Sequence, residues 1–449
     1  GLFLAPPLAR VELMSGAASD DATPGLRDLL HERSRGRIDL GWDKETGRHL
    51  LAAEDLEPFE AVLEEEALLF GSDSMDAMMR AMVTEHWQGM AEAWVGSEEG
   101  GCDPLAHADL FSNYVLAKVN GKDAAGPAAE RVQRLESWLC RASDDVDREA
   151  QSEKLEMIRA ALRPEYRRRI KQEDLRHLDE VLQRNLEEFC GPPSVRLGPA
   201  GLPPLLAHSR YQGLFACKDL IQHSCLPNCM THASPPLLVD GKMQLIQQIV
   251  PLRRILKGER LTWSYLPYWK LLWPTQLRRQ ALFEGWHFTC RCERCEGPSR
   301  EATMAFRCPQ CGCGDLCPSA PVAGNQGASY RDALQCVQAL ECGCGLRLST
   351  VPGTMGPFPG YAGDCLMQEA YLYELPCNES SGKDLEAVAP ERSSRLAPDH
   401  WLRADHASHV VENVATLLSS AGLSPPAVAS REVLVGFFEK VANAADWLV

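Results

Sequence analysis

The chain is 449 residues long with 45% hydrophobic and 24% charged residues, enough apolar material for more than one folded core. No run of about eighteen apolar residues occurs, so no membrane-spanning helix is expected. The formal net charge is −16, from 62 acidic against 46 basic side chains, which repels nucleic acid and favours basic partners such as Lys- and Arg-rich protein tails.

The opening Gly1-Leu2-Phe3-Leu4-Ala5-Pro6-Pro7 is apolar but short and without a basic flank, so a secretion signal is not expected; lacking a starting Met, the natural chain is expected to begin upstream. Residues 38–70 are strand-like, with His49-Leu50-Leu51-Ala52-Ala53 and Ala61-Val62-Leu63 on either side of the turn Leu56-Glu57-Pro58-Phe59. The period then changes. Met75, Met78, Met79, Met82, Val83, Met90 and Trp94 mark one face of a helix capped by Ser72 or Ser74, and core packing is the expected role of that stripe.

Residues 128–189 read as further helix broken at Pro164, with Leu175, Leu178, Leu182, Leu186 and Phe189 at helical spacing. Arg167-Arg168-Arg169 fits a solvated helix face. A loop from Gly191-Pro192-Pro193 to Pro203-Pro204 is expected to end this block. Strands return at 243–250 and 260–265 around Gly258-Glu259, followed by a turn-rich zone from 290 to 344. Flexible loops are expected at 318–329 and 351–363, and helices at 401–419 and 430–447.

Of the 18 cysteines, twelve fall between Cys290 and Cys377, many as C-x-C or C-x-x-C pairs. Cysteines that close are awkward to cross-link to each other but suit one metal ion, so zinc in a reducing compartment, the cytoplasm and/or nucleus, is expected. Cys290-x-Cys292-x-x-Cys295 supplies three thiolates and needs a fourth ligand. Cys308-Pro309-Gln310-Cys311 is a zinc knuckle whose expected partners are Cys342 and Cys344, with Cys313, Cys317 and Cys336 as competitors. Cys102, Cys140, Cys190, Cys365 and Cys377 read as ordinary thiols.

Three motifs occur in order: Ile221-Gln222-His223-Ser224-Cys225-Leu226-Pro227-Asn228-Cys229, then Gly258-Glu259-Arg260-Leu261-Thr262-Trp263-Ser264-Tyr265, then Trp286-His287-Phe288-Thr289-Cys290-Arg291-Cys292-Glu293-Arg294-Cys295. Together they resemble the SET domain, and within it the group that includes the SET- and MYND-domain (SMYD) lysine methyltransferases. Gly213-Leu214-Phe215-Ala216-Cys217-Lys218-Asp219-Leu220 resembles the family's approach to the first motif, and Gly47-Arg48-His49-Leu50-Leu51-Ala52 its N-terminal G-x-G-L-x-A element. The resemblance is tight over residues 205–297 and looser over 38–70.

The resemblance implies an α+β fold: a mainly-β SET core, a helical insertion, a zinc-binding post-SET segment and a helical C-terminal region. Expected boundaries are 30–72 for the N-terminal part of the SET domain, 73–204 for the insertion, 205–297 for the SET core and post-SET zinc segment, 298–350 for a zinc-ribbon-like segment and 351–449 for the C-terminal helices. It implies S-adenosylmethionine-dependent methyl transfer to a lysine amine of a histone or non-histone protein, with no membrane and no direct nucleic-acid binding. Tyr265 matches the catalytic tyrosine. Arg48, His49, Asn185, Gln222, His223, Tyr265 and Phe288 match cofactor contacts, Trp286 a wall of the lysine channel, and Cys225 the fourth ligand of the post-SET zinc. Alone, Tyr265 would read as an aromatic closing a strand and His223 as a core histidine; the neighbouring motifs change both readings.

The chemistry agrees with the carry-over. Methyl transfer from a sulfonium is an in-line displacement by a neutral amine, while a free lysine has a pKa of about 10.4. An apolar channel and the adjacent sulfonium charge both favour the neutral amine, and what remains is alignment.

Four departures stand out. Gln222 replaces the usual Asn, moving the same amide outward by one methylene. His49 replaces the second glycine of G-x-G, a poor exchange if the position needs positive φ. Trp286 replaces a Tyr, and no MYND finger is expected between the two halves of the SET region, where Cys102, Cys140 and Cys190 are too scattered. These make an inactive SET/zinc scaffold the main alternative. A zinc-ribbon nucleic-acid binder is disfavoured by the acidic balance, and a plant-type SET enzyme acting on chloroplast proteins by the post-SET cysteines.

Overall fold

The structure, a computed structural model, describes residues 25–44, 46–72, 83–84, 104–121, 127–139, 148–196, 205–233, 237–239, 242–297, 300–324, 328–351, 356–373, 395–397 and 400–402. The chain divides into two compact units, the first formed by Gly1–Pro192, Ser209–Ile221 and Thr231–Leu261, the second by Pro193–His208, Gln222–Met230 and Thr262–Val449. Helices and several small sheets give a mixed α+β fold.

In the first unit a short helix, α1 (Leu26–Ser34), precedes the antiparallel pair β1 (Ile38–Asp43) and β2 (Gly47–Ala52). Asp43 Oδ1 accepts the Thr46 N–H at 2.7 Å and Gly47 sits at φ 74°, which together close the turn between them. β2 is held on its other side by the Gly258 turn, with Ala52 N–H donating to the Glu259 carbonyl at 2.9 Å and Leu261 N–H to that of Leu50 at 2.9 Å.

β3 (Leu63–Glu66), β8 (Cys229–Ala233) and β11 (Ile246–Pro251) form a second sheet in the order β3-β11-β8. In β11 the residues Gln247, Ile249 and Pro251 are buried in alternation, the period of a half-buried strand. A third sheet, β4-β6-β5, is built from β4 (Leu69–Ser72), β5 (Glu187–Arg196) and β6 (Leu205–Leu214). A hairpin of β9 (Leu237–Val239) and β10 (Lys242–Gln244) completes the strands of this unit.

Helices α2 (Pro104–Gly121), α3 (Pro127–Trp138), α4 (Arg148–Ala161), α5 (Pro164–Arg169) and α6 (Gln172–Asn185) follow in the first unit. Pro164 opens α5 at its first turn, where a missing N–H costs nothing. α6 buries Leu175, Leu178, Val181 and Leu182 along one stripe.

The helix expected to reach residue 189 stops at Asn185, because Leu186 turns extended with ψ 129°. Phe189 and Gly191-Pro192-Pro193 lie in β5, not in a helix and a loop. β5 is the edge strand of its sheet, the place where consecutive prolines are tolerated. The methionine-rich helix expected at 75–94 lies outside the described residues, apart from Val83, which is buried, and Thr84, which bridges Leu162.

The second unit begins with the parallel pair β7 (Gln222–His223) and β12 (Thr262–Trp263), followed by a 3-10 turn at Tyr268–Leu272, α7 (Thr275–Trp286) and the single turn α8 (Glu293–Glu296). Beyond it, β13 (Cys317–Pro318), β14 (Ala339–Glu341) and β15 (Arg347–Ser349) form an antiparallel ribbon, with α9 (Tyr330–Gln335) and α10 (Tyr361–Tyr373) beside it. Phe306, Leu316, Tyr330, Leu340, Leu348, Leu366 and Trp401 share one buried apolar core.

The expected loop at 318–329 gives way to α9, whose start is fixed by a capping box between Ser329 and Asp332. Part of the loop expected at 351–363 is the start of α10. The helices expected at 401–419 and 430–447 lie outside the described residues, apart from Trp401 and Leu402, which are buried. Among the described residues, no helix is long and apolar enough to cross a membrane.

Candidate functional site

The first and second motifs meet within the second unit. β7 and β12 pair in parallel register, Gln222 with Thr262 and His223 with Trp263, and Ser224 N–H continues the ladder to the Trp263 carbonyl at 2.9 Å. Asn228 closes the loop. Its Oδ1 accepts the Thr262 N–H at 2.8 Å, and its own N–H donates to Thr262 Oγ1 at 3.2 Å. A buried amide satisfied this way fixes the path of residues 224–228.

His223 joins this loop to Tyr265. The Tyr265 N–H donates to His223 Nδ1 at 3.0 Å, which leaves the neutral ring's proton on Nε2, and Nε2 lies 3.2 Å from Cys225 Sγ. Burial pushes the imidazole pKa down to about 4, so the ring is neutral at pH 7. Its centroid is 5.4 Å from that of Tyr265 and 6.0 Å from that of Phe288.

Tyr265 is the centre of an aromatic cluster, 5.7 Å from Trp263, 5.6 Å from Trp286 and 6.1 Å from Phe288, mostly in tilted or edge contacts. All four rings are half-buried, so each packs on one side without being sealed in the core.

Cys225, Cys290, Cys292 and Cys295 bring four Sγ atoms within 4.8 Å of one another. The Cys225–Cys290 and Cys225–Cys295 separations are 3.9 and 3.6 Å. Zinc–sulfur bonds of about 2.3 Å in a tetrahedron put sulfurs about 3.8 Å apart, so the set fits a closed, structural zinc site.

Three arginines hold this cluster. Arg279 donates to the carbonyls of Cys290 and Cys295 at 3.0 and 3.3 Å, and Arg294 to those of Cys225 and Leu271 at 3.2 and 2.6 Å. Arg278 is fully buried, donates to Thr275 Oγ1 at 2.8 Å, and lies 3.3 Å from the Glu301 carboxylate and 3.8 Å from Cys295 Sγ. Burial opposes its charge, but Glu301 and the thiolates outweigh that and hold the guanidinium ionised. Burial pushes Glu301 upward, yet the two arginines and Thr275 hold it below its ordinary value. A positive side chain beside a zinc tetrathiolate offsets its net negative charge.

The second cluster gathers Cys308, Cys311, Cys342 and Cys344 within the same 4.8 Å limit. Cys308–Cys344 and Cys311–Cys342 are 3.8 and 3.7 Å apart, again the tetrahedral spacing. Each pair sits on a tight turn closed by a glycine at positive φ, Gly312 at 74° and Gly345 at 88°. Gly312 N–H donates to the Cys308 carbonyl at 2.9 Å and Gly345 N–H to that of Cys342 at 2.9 Å. Of the competing cysteines, Cys317 is buried in β13, Cys336 donates to the Asp332 carbonyl, and Cys313 touches the cluster from outside. Cys365 is buried in α10, and the side chains of Cys102, Cys140, Cys190 and Cys377 lie outside the description.

Arg48, His49 and Asn185 belong to the first unit. Arg48 donates to the Trp138 carbonyl at 2.5 Å. His49 is buried in β2, its ring against the cross-strand Gly41 and its Nδ1 3.1 Å from the Gly47 carbonyl. The positive φ of the G-x-G element falls on Gly47; His49 is ordinary strand, so its Cβ carries no backbone strain. Gly41 is what admits the imidazole, because a Cβ there would lie 2.5 Å from His49 Nε2. Asn185 is buried at the end of α6, its Nδ2 donating to the Val181 carbonyl at 2.7 Å.

Sequence reasoning missed Arg278 and Glu301, since nothing local in the sequence marks a buried ion pair 23 residues apart. It also missed Glu65, a buried carboxylate that accepts the N–H groups of Ala216, Cys217 and Lys218 at 2.8, 2.9 and 3.0 Å and so fixes the approach to the first motif. Alternation in Leu63-Glu64-Glu65-Glu66 was the available signal, because it turns Glu65 inward beside Leu63.

No family model matches the chain. It is 33% identical over 107 residues to the SET domain-containing protein SmydA-8, isoform B, of Drosophila melanogaster, covering 23% of this chain and 21% of that one. It is 33% identical over 92 residues to the mouse histone-lysine N-methyltransferase SMYD3 (20% and 19% covered), and 35% identical over 95 residues to the SET domain and MYND-type zinc finger protein 6 of Schizosaccharomyces pombe (20% and 17% covered). Over that stretch the chain is similar to SET- and MYND-domain proteins, and it spans about a fifth of the length of these relatives. A crystal structure of the SET domain of LSMT bound to lysine and AdoHcy aligns with 96% of this chain and 90% of its own, at 11% identity and a TM-score of 0.33, too low to show a common fold.

Proposed function

We propose that the chain is an S-adenosylmethionine-dependent protein-lysine N-methyltransferase whose catalytic tyrosine is Tyr265. The observation that carries this reading is the placement of Tyr265 among Trp263, Trp286 and Phe288, with its backbone tied to the neutral His223.

The residues fit the cofactor's chemistry. Phe288 offers a half-buried ring for a flat base, and the electron-rich faces around Tyr265 suit a sulfonium. Gln222 adds an amide at the start of β7. Arg48, His49 and Asn185 enter the proposal through the resemblance and are tested by substitution. The cofactor supplies an electrophilic methyl group on a positively charged sulfur.

The protein's own task is to present a neutral amine in line with that methyl. Apolar walls from Trp286 and Tyr265 disfavour the ammonium form, and the Tyr265 hydroxyl orients the amine lone pair. Cys225, Cys290, Cys292 and Cys295 would hold a structural zinc, which would tie the loop after His223 to the segment after Phe288. Its partner is a lysine-bearing protein, and the net charge of −16 favours a basic one. Two candidate tetrathiolate sites favour a reducing compartment, the cytoplasm or nucleus.

The test is incubation of the zinc-loaded chain with methyl-labelled cofactor, core histones and an array of basic peptides. Label on lysine, absent with Tyr265→Phe, is the expected outcome. Cofactor binding without transfer to any substrate would favour the scaffold alternative.

A further inference from the structure

The second cysteine cluster holds one thiol more than a zinc ion takes. Cys313 is exposed, its Sγ 2.9 Å from that of Cys311 and 3.4 Å from that of Cys342. Cys308, Cys311, Cys342 and Cys344 already make up the tetrahedral set. Zinc in a structural site is four-coordinate, and four thiolates leave it with net negative charge, so a fifth anionic ligand is repelled. Cys313 therefore stands outside the ion and against two of its ligands.

We propose that Cys313 is an oxidation site, through which a peroxide converts Cys311 and Cys313 to a disulfide and releases the zinc of this cluster. The inference rests on the reading that the cluster holds zinc. Cys313 is the thiol that solvent reaches without displacing a ligand. Its thiolate attacks one peroxide oxygen; the S–O bond forms, the O–O bond breaks, and hydroxide leaves as water. The Cys311 thiolate then attacks the sulfenic sulfur; the S–S bond forms, the S–O bond breaks, and a second water leaves. The two thiols lose two electrons and the peroxide gains them.

Gly312 makes the pairing feasible. It separates the two cysteines and sits at φ 74°, a turn that folds Cys313 back on Cys311 while the Cys313 carbonyl accepts the Cys308 N–H at 2.7 Å. Loss of Cys311 leaves three thiolates, an incomplete set that binds zinc far more weakly. The Cys225 cluster has no such neighbour among the described residues, its sulfurs being buried or half-buried with every one a ligand. Oxidation is therefore selective for one ion.

The experiment uses the full chain loaded with zinc, with metal content measured before treatment. Hydrogen peroxide is added, zinc release is followed with a chromogenic chelator, and differential alkylation with mass spectrometry maps the disulfides. We expect two zinc equivalents at the start, release of one, a Cys311–Cys313 disulfide, and re-uptake after a dithiol reductant and fresh zinc. Cys313→Ser should start with two equivalents and release zinc roughly tenfold more slowly at the same dose, whereas Cys336→Ser, at an exposed thiol outside the cluster, should behave as the unaltered chain. Equal release from Cys313→Ser, or a disulfide that omits Cys313, would overturn the proposal while leaving the zinc reading intact. A single zinc equivalent in the untreated chain would overturn both.

Discussion

The backbone N–H of Tyr265 donates to Nδ1 of His223 across 3.0 Å, and the other nitrogen of that ring reaches Cys225 Sγ at 3.2 Å. One imidazole thus joins the proposed catalytic tyrosine to the proposed zinc site. The ring must be neutral to accept at Nδ1 and donate at Nε2, and burial keeps it so. The neutral imidazole serves both contacts at once, accepting at Nδ1 and donating at Nε2.

If Tyr265 aligns the amine through its hydroxyl, Tyr265→Phe should keep the ring contacts with Trp286 and Phe288 and lose only that oxygen. Turnover should fall by roughly a hundredfold, with little change in the melting temperature. Radiolabel transfer and thermal denaturation on one preparation check this.

Cys225 contributes to the zinc set from a different part of the chain than the other three ligands. Cys225→Ser should lower zinc content by one equivalent and unfold the segment from Cys290 to Glu296, because a structural zinc contributes folding free energy outright. Metal analysis together with proteolysis of that segment tests it, and full zinc content would remove Cys225 from the site.

Arg278 and Glu301 form a buried pair at 3.3 Å, both almost without exposure. Removing the cation alone, in Arg278→Met, leaves a buried carboxylate and should cost about 3–5 kcal/mol. Adding Glu301→Gln should recover part of the loss, a coupling that denaturant titration of the single and double variants measures. Glu301 is held below its ordinary value. Its contribution is therefore present above the unfolded carboxylate pKa and lost as pH falls through the depressed folded one.

His107 supplies a second pH signature, in the first unit. It is buried, its Nδ1 donates to Gln212 Oε1 at 2.8 Å, and desolvation lowers its pKa from 6.5 to about 4. Between those values the unfolded chain binds a proton that the folded chain refuses. Stability should fall as pH drops from 6.5 toward 4, by about 3 kcal/mol at most. His107→Gln should flatten that part of the stability–pH curve; an unchanged slope would assign it to other groups.

Much of the site was legible because it is written in short, ordered motifs. Cys290-x-Cys292-x-x-Cys295 and Cys308-x-x-Cys311 declare metal chemistry by spacing, and Cys225, Cys342 and Cys344 lie where those pairs needed partners. The strands around His49 and Ile249 followed from alternation. Other features depended on tertiary context. Phe189 sits at helical spacing with α6 but belongs to an edge strand, since pairing in the β4-β6-β5 sheet overrides a local period. Arg278 went unmarked in the sequence because burial of a charge is decided by a partner 23 residues away, Glu301. α9 was hidden among turn residues, although the Ser329–Asp332 box that starts it is visible in the sequence once sought.

The most direct test of the central claim is calorimetric titration of the folded, two-zinc chain with S-adenosylmethionine. The account expects saturable one-to-one binding, weakened roughly tenfold by Phe288→Ala with both zinc ions retained. No binding at millimolar cofactor to a folded, zinc-replete sample would contradict it, and the chain would then stand as a zinc-stabilised SET scaffold without the methyltransferase reaction.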